Sequence, residues 1–238
     1  MIRDASRYQR DMGMAHRAMA ALPSDALNVD VGAHEGEWLK YFTERSPYAQ
    51  HVAFEPLPRY VPELRSKFPN CVIHEVALTD SFGASNFEHV VNDPDCSGFF
   101  KPERCCVEKP QVETIAVRVM PLDAALRNAP RVNFIKINVR GGEYKVLAGS
   151  TKTLERLEPT IYFEHARIHF RNYGETSVPL HDLLTRVGYS IMSLQSKTLM
   201  TRVQFIEAVE YAHRINYRFP AETKFIAAPK DHLAHLMP

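Results

Sequence analysis

The sequence predicts an α/β protein built on one mostly parallel seven-stranded sheet with helices on both faces. Three observations predict it. Short apolar runs alternate with stretches whose apolar residues recur every three or four positions. The runs end in polar residues, namely Asp30, Glu55, Asp80, Asn138 and Glu164. An open α/β sheet binds its ligands at those carboxyl ends. The first run is followed by a glycine-rich turn and answered about twenty residues later by an acid, the logic of a nucleoside-binding βαβ unit.

The elements follow in order. Residues Ala5 to Leu22 carry apolar residues at mixed three- and four-residue spacing and read as a helical arm, ended by Pro23 and Ser24. Leu27 to Val31 is the first strand, and Gly32-Ala33-His34-Glu35-Gly36 is its turn. Trp38, Leu39 and Phe42 share the buried face of the next helix. Glycines there allow close backbone approach, and free N–H groups at the helix start favour an anion. Gln50 to Glu55 is the second strand, stopped by Pro56 and Pro58. Tyr60, Val61, Leu64 and Phe68 give the second helical face, and Cys71 to Leu78 the third strand.

The rhythm then changes. Ala84 to Val91 and Val112 to Met120 read as extra strands around a long Pro-rich and charged loop, expected near the mouth of the site. Pro121 to Leu126 is a short helix with Asp123 in its first turn. Val132 to Val139 is the fourth parallel strand, followed by Arg140-Gly141-Gly142-Glu143 and a helical segment broken around Gly149. Thr160 to Phe163 is the fifth, closing on Glu164 and His165. A polar, aromatic and basic stretch from Ala166 to Thr176 follows. A helix marked by Leu180, Leu183 and Leu184 comes next, then two last strands, Tyr189 to Leu194 and Lys224 to Ala228. The domain reading is an arm at 1–22 and one domain at 23–238 with an inserted loop and hairpin at about 84–120.

Bulk properties narrow the classes. A chain of 238 residues with 45% hydrophobic and 24% charged residues can bury a sizeable core. With 29 basic and 28 acidic residues the net charge is +1, so no nucleic-acid partner is expected. No apolar run reaches a membrane span, and the charged N-terminus lacks a signal-peptide core, so a cytoplasmic protein is expected. Cys71, Cys96, Cys105 and Cys106 form no Cys-x-x-Cys pair. Neighbouring cysteines seldom point at one metal, so no metal site is expected.

Five ordered motifs, NVDVGAHEG, VAFEP, VALTD, FIKINVRGGEYKVLAG and PTIYFEH, resemble the FkbM-type family of class I, S-adenosylmethionine-dependent methyltransferases. The resemblance spans about Leu27 to His165. It implies a Rossmann-like fold, S-adenosylmethionine as cofactor, and methyl transfer to a hydroxyl of a small molecule, sugar, glycolipid or natural product. It places Asp30, Gly32, Ala33, His34 and Gly36 in the cofactor loop and Glu55 at the ribose. Ala77 and Leu78 fall at the adenine, and Asn138 where the methionine end meets the acceptor. The chain departs from the family pattern after the fourth strand, where two acids are replaced by Asn138 and Arg140. The alternative reading is therefore a degenerate, non-catalytic protein that binds a nucleoside or a partner. A homodimer is left open.

A hydroxyl acceptor must lose a proton, which a positioned His or carboxylate can take. His165 is the first candidate, because its ordinary pKa lies near neutrality, with Glu164 and Glu143 beside it. Glu143 also suits the start of a helix, where its charge complements the dipole. Lys136, inside a strand, must either be paired, for instance with a strand-end acid, or snorkel to water. Arg140, His169 and Arg171 are expected to wall the acceptor pocket.

Overall fold

The computed structural model describes residues 13, 17–20, 22–102, 105, 107–174, 176–211 and 223–234. Ten strands are described: β1 (Asn28–Val31), β2 (Val52–Phe54), β3 (Val72–His74), β4 (Ala77–Leu78), β5 (Gly83–Val90), β6 (Val112–Met120), β7 (Phe134–Ile137), β8 (Thr160–Glu164), β9 (Tyr189–Ser193) and β10 (Lys224–Pro229). Seven of them form one sheet in the order β3-β2-β1-β7-β8-β10-β9, parallel except for β10. The strand order reverses between β1 and β7, and that switch point opens a crevice at their carboxyl ends.

The helices are α1 (Glu37–Arg45), α2 (Val61–Lys67), α3 (Leu122–Ala125), α4 (Glu143–Ala148), α5 (Thr151–Leu157), α6 (Arg167–Phe170), α7 (Ser177–Arg186), α8 (Arg202–Ile206) and α9 (Lys230–Leu233). The expected helical face of α1 is the buried one: Trp38, Leu39 and Phe42 lie in the core. Inner strands alternate between two apolar layers. Phe134, Tyr162 and Ile226 join the α1 side, while Ile135, Phe163 and Phe225 join the other. Both faces are covered, which is why these strands read as continuous apolar runs.

Two expectations are corrected. The third run, Cys71 to Leu78, is two strands. β3 pairs with β2, and the chain then leaves the sheet so that β4 pairs with β6. Strands β4, β6 and β5 make a separate three-stranded sheet. A run of apolar residues cannot say that its two ends pair with different neighbours. Second, the polar stretch after β8 is helical: α6 continues into a 3₁₀ turn, Arg171–Tyr173. Helix α8 and the π-turn after it, Glu207–Tyr211, were not expected, yet they bring Phe205 and Val209 into the core. Of the N-terminal arm, residues 17–20 are helical, with Ala18 and Met19 buried; Tyr8, Met12 and His16 lie outside the described residues. No helix among the described residues is long and apolar enough to cross a membrane.

Candidate active site

The loop after β1 is held by its own backbone. Gly32 and Ala33 N–H groups both donate to the Phe54 carbonyl, at 2.9 and 3.2 Å, and Gly36 N–H donates to the Ala33 carbonyl. These bonds fix the turn itself. The N–H groups expected at the helix start are those of Trp38 and Leu39, which precede the first intrahelical bond, from Lys40 N–H to the Gly36 carbonyl. Gly32 has φ +77°, and a Cβ there would collide with the Asn138 carbonyl. The loop therefore sits hard against the end of β7.

Beneath the loop, Asp30 and Lys136 are register partners on β1 and β7. The Lys136 ammonium donates to Asp30 Oδ1 at 2.9 Å and to the Val31 and Gly32 carbonyls at 3.3 and 2.6 Å. Both side chains are buried. The expected acid partner of Lys136 is Asp30. The second carboxylate oxygen of Asp30 has no hydrogen-bond partner among the described residues and remains an acceptor.

Glu55, 4% exposed, stands at the end of β2. Its Oε2 accepts from His34 N–H at 2.7 Å and its Oε1 from Leu57 N–H at 2.9 Å. Burial pushes its carboxyl up to about 7 against the pull of these two N–H groups. The His34 ring lies 4.4 Å from that of Tyr60, and its Nε2 is 3.5 Å from Asp95. Neither neighbour was signalled by the sequence, because both come from elements folded over the loop. Ala77 and Leu78 are buried in β4, at the edge of the small sheet.

The loop after β7 carries the second set. Arg140 has φ +54° and Gly141 φ +101°. A Cβ on Gly141 would meet the His169 carbonyl at 2.6 Å, so this loop is pressed onto α6. Glu143 is buried at the first turn of α4, and its Oε1 accepts from Val139 and Gly141 N–H groups at 3.2 and 3.1 Å. Its Oε2 faces His165 Nδ1 at 3.3 Å. Burial raises this carboxyl, but the hydrogen bond and charge of His165 outweigh burial and hold it below the usual range. Glu143 thus occupies both roles read for it: it opens a helix and neighbours His165. His165 itself is fully buried, stacked on Phe170 at 4.3 Å, and its Nε2 has no hydrogen-bond partner among the described residues.

At the ends of β7 and β8, Asn138 Nδ2 donates to Glu164 Oε2 at 3.0 Å. Asn138 is exposed and Glu164 half-buried; burial raises the Glu164 carboxyl. Around Arg140 lies a shallow depression lined by Cys96, Gly98, Phe100, Arg140, His169 and Tyr173, among others. Arg140 Nη1 donates to His169 Nε2 at 3.0 Å. Burial, then the Arg140 charge, push His169 down to about 4, so at neutral pH it is the acceptor in this bond. Arg171 is exposed on the 3₁₀ turn and does not line the depression. The long loop contributes Cys96, Gly98, Phe100 and Pro102 to the wall of this depression.

The donors and acceptors suit an amino-acid nucleoside. Glu55 has lone pairs left for hydroxyls, the start of α1 has N–H groups for a carboxylate, and the Gly32 backbone approach leaves no side chain in the way.

A family model described as the methyltransferase FkbM domain matches residues 30–191. The 2-O-methyltransferase NoeI of Sinorhizobium fredii (strain NBRC 101917 / NGR234) is 28% identical over 185 residues, covering 71% of this chain and 74% of NoeI. The AMB antimetabolite synthetase AmbE of Pseudomonas aeruginosa is 25% identical over 215 residues, covering 75% of this chain. The chain spans 10% of AmbE's own length. Among solved structures, an FkbM methyltransferase of Methylobacillus flagellatus KT superposes with a TM-score of 0.50 at 14% identity, over 87% of this chain and 45% of that one. At that identity the likeness speaks for the fold alone.

Proposed function

The chain belongs to the FkbM family of S-adenosylmethionine-dependent methyltransferases, and we propose that it transfers the methyl group to a hydroxyl oxygen of a small-molecule acceptor, in the class of sugars, glycolipids or natural products. The observation that carries the reading is the meeting of four strand ends. The β1 loop and Glu55 face the crevice from one side of the switch point, and Asn138 and Glu164 from the other. The likeness to NoeI, named a 2-O-methyltransferase, supports oxygen as the accepting atom.

When bound, S-adenosylmethionine supplies an electrophilic methyl carbon on a sulfonium. Glu55 receives the ribose hydroxyls, and the N-terminus of α1 receives the carboxylate. On the acceptor side, Glu164 takes the hydroxyl proton while Asn138 orients the Glu164 carboxylate. Glu164 is preferred over His165 because it is half-buried at the crevice whereas His165 is enclosed; the Glu143–His165 pair then holds the β7 loop in place. A carboxyl raised by burial is better matched to proton uptake near neutral pH. Arg140, standing where the family pattern has an acid, favours an acceptor with an anionic group near the hydroxyl.

Titration calorimetry with S-adenosylhomocysteine tests the cofactor half: Glu55→Ala should weaken binding, and no heat from the folded wild type at millimolar ligand would end the proposal. A degenerate nucleoside-binding protein, the reading that Asn138 motivates, would bind the ligand yet transfer no methyl group to any hydroxyl acceptor tried. Transfer that Glu164→Gln abolishes, with ligand affinity kept, decides for the enzyme.

A further inference from the structure

The wall of the acceptor depression contains a second set of ligating groups. Asp93, Cys96 and Cys105 bring one carboxylate oxygen and two thiol sulfurs within 4.8 Å of one another. Cys96 Sγ donates to Asp93 Oδ2 at 3.2 Å, and Cys105 is in hydrogen-bonding contact with Cys96. Cys96 is buried, and Asp93 and Cys105 are half-buried. The described cysteines are free thiols.

The framework under two of these residues is fixed. Asp93 precedes a 3₁₀ turn, Pro94–Cys96, and the turn is tied to β5. Asp93 N–H donates to the Val90 carbonyl, Cys96 N–H to the Asp93 carbonyl, and Ser97 Oγ accepts from Val90 N–H. Glu88 and Gly98 exchange both backbone bonds just beyond. Cys105 comes back from the far side of the loop. From sequence, the eight residues between the two cysteines gave no metal spacing; the loop's return creates the cluster.

We propose that Asp93, Cys96 and Cys105 form a site for a single Zn²⁺ ion that staples the loop walling the acceptor depression. Two sulfurs and one oxygen are a donor set suited to zinc. With Zn–S near 2.3 Å, tetrahedral ligands stand about 3.8 Å apart, so the cluster closes with small shifts. Zinc binds the two sulfurs as thiolates, so two protons leave with binding. The bound unit then carries a net charge of −1, from +2 on the ion and −1 on each of three ligands. It faces a positive neighbour, since the Arg140 and Cys96 side chains line the same depression and Arg140 Cβ lies 3.7 Å from the Cβ position of Gly98. In the apo protein, burial and the hydrogen bonds of Cys105 and Asp93 push the Cys96 thiol up to about 12, so Cys96 waits as a thiol until a cation arrives. A fourth position is left for water.

Cobalt substitution tests this on the full chain, reduced and metal-free. One equivalent of Co²⁺ should give a thiolate-to-cobalt charge-transfer band and tetrahedral d–d bands, and Zn²⁺ should bleach both. Zn²⁺ should also raise the melting temperature by several degrees, reversed by chelation. Cys105→Ser, at a half-buried loop position, should remove most of the charge-transfer intensity. Asp93→Asn should weaken Zn²⁺ affinity about tenfold or more, and Cys71→Ser should leave the spectrum unchanged. Absence of the charge-transfer band in the wild type overturns the site. So does a band that survives Cys96→Ser with Cys105→Ser, or one lost on Cys106→Ser but kept in Cys105→Ser. None of these readouts depends on methyl transfer, so failure here leaves the proposed function standing, and the reverse.

Discussion

The loops after β1 and β7 are built alike and end up electrically opposite. Each follows an inner parallel strand, and each contains glycine and one other residue at positive φ: Gly32, Gly36 and His34 in the first, Gly141 and Arg140 in the second. Each is laced by a buried glutamate that accepts from two backbone N–H groups, Glu55 from His34 and Leu57, Glu143 from Val139 and Gly141. Yet the Glu55 carboxyl rises to about 7 whereas that of Glu143 falls below its usual range. The difference is the partner. His165 lies 3.3 Å from Glu143, while the cation whose charge acts on Glu55, Lys136, is already engaged with Asp30. Two backbone N–H groups do not offset full burial of a carboxylate; an adjacent basic side chain does.

The largest test asks whether the β7–β8 side alone carries the chemistry. Glu164→Gln should lower the methyl-transfer rate by about 10²–10⁴ while S-adenosylhomocysteine affinity stays within about twofold; equal losses in both would erase the division between the two halves. The next probes the pair that joins them. Lys136→Met leaves Asp30 buried without its cation and should cost about 3–5 kcal/mol in urea unfolding, and adding Asp30→Asn should restore much of it. If the double variant is no more stable than the single one, the two loops are not coupled through this pair.

Proton linkage then separates the loops by sign. For Glu55 the folded pKa is about 7 and the unfolded near 4.5. Its contribution to stability is fully present below pH 4.5 and lost as the pH rises through about 7. Glu55→Gln should therefore gain on the wild type by up to about 3 kcal/mol across that window. His169 runs the other way: with its folded pKa near 4 and its ordinary value 6.5, its contribution is present above pH 6.5 and lost as pH falls through 4. Replacing it with Gln should give a pH slope of comparable size and opposite sign in the same urea titrations. Slopes of one sign for both variants would contradict the contrast.

Much of this was legible in the chain. The alternation of apolar runs and helical faces announced the parallel order, and α1 buries Trp38, Leu39 and Phe42 as their spacing required. The break at Gly149 is where α4 gives way to α5, because a Cβ there would meet the Thr79 carbonyl. Asp123 lies in the first turn of the short helix α3, as read, and its carboxylate also accepts from the Lys152 and Thr153 N–H groups at the start of α5. The split of the third run, the exposure of Arg171 and the enclosure of His165 were not legible, since each depends on what packs against a residue from elsewhere.

The sequence by itself determined the alternation of strands and helices, the polar strand ends and the family, because periodicity, glycine turns and motif spacing are local properties of a chain. Only the tertiary structure decided which glutamate has its carboxyl raised and which lowered, that Lys136 meets Asp30 across 106 residues of sequence, and that Asp93, Cys96 and Cys105 share one small volume. Those outcomes rest on desolvation and on contacts between distant segments, and both exist only once the chain has closed on itself.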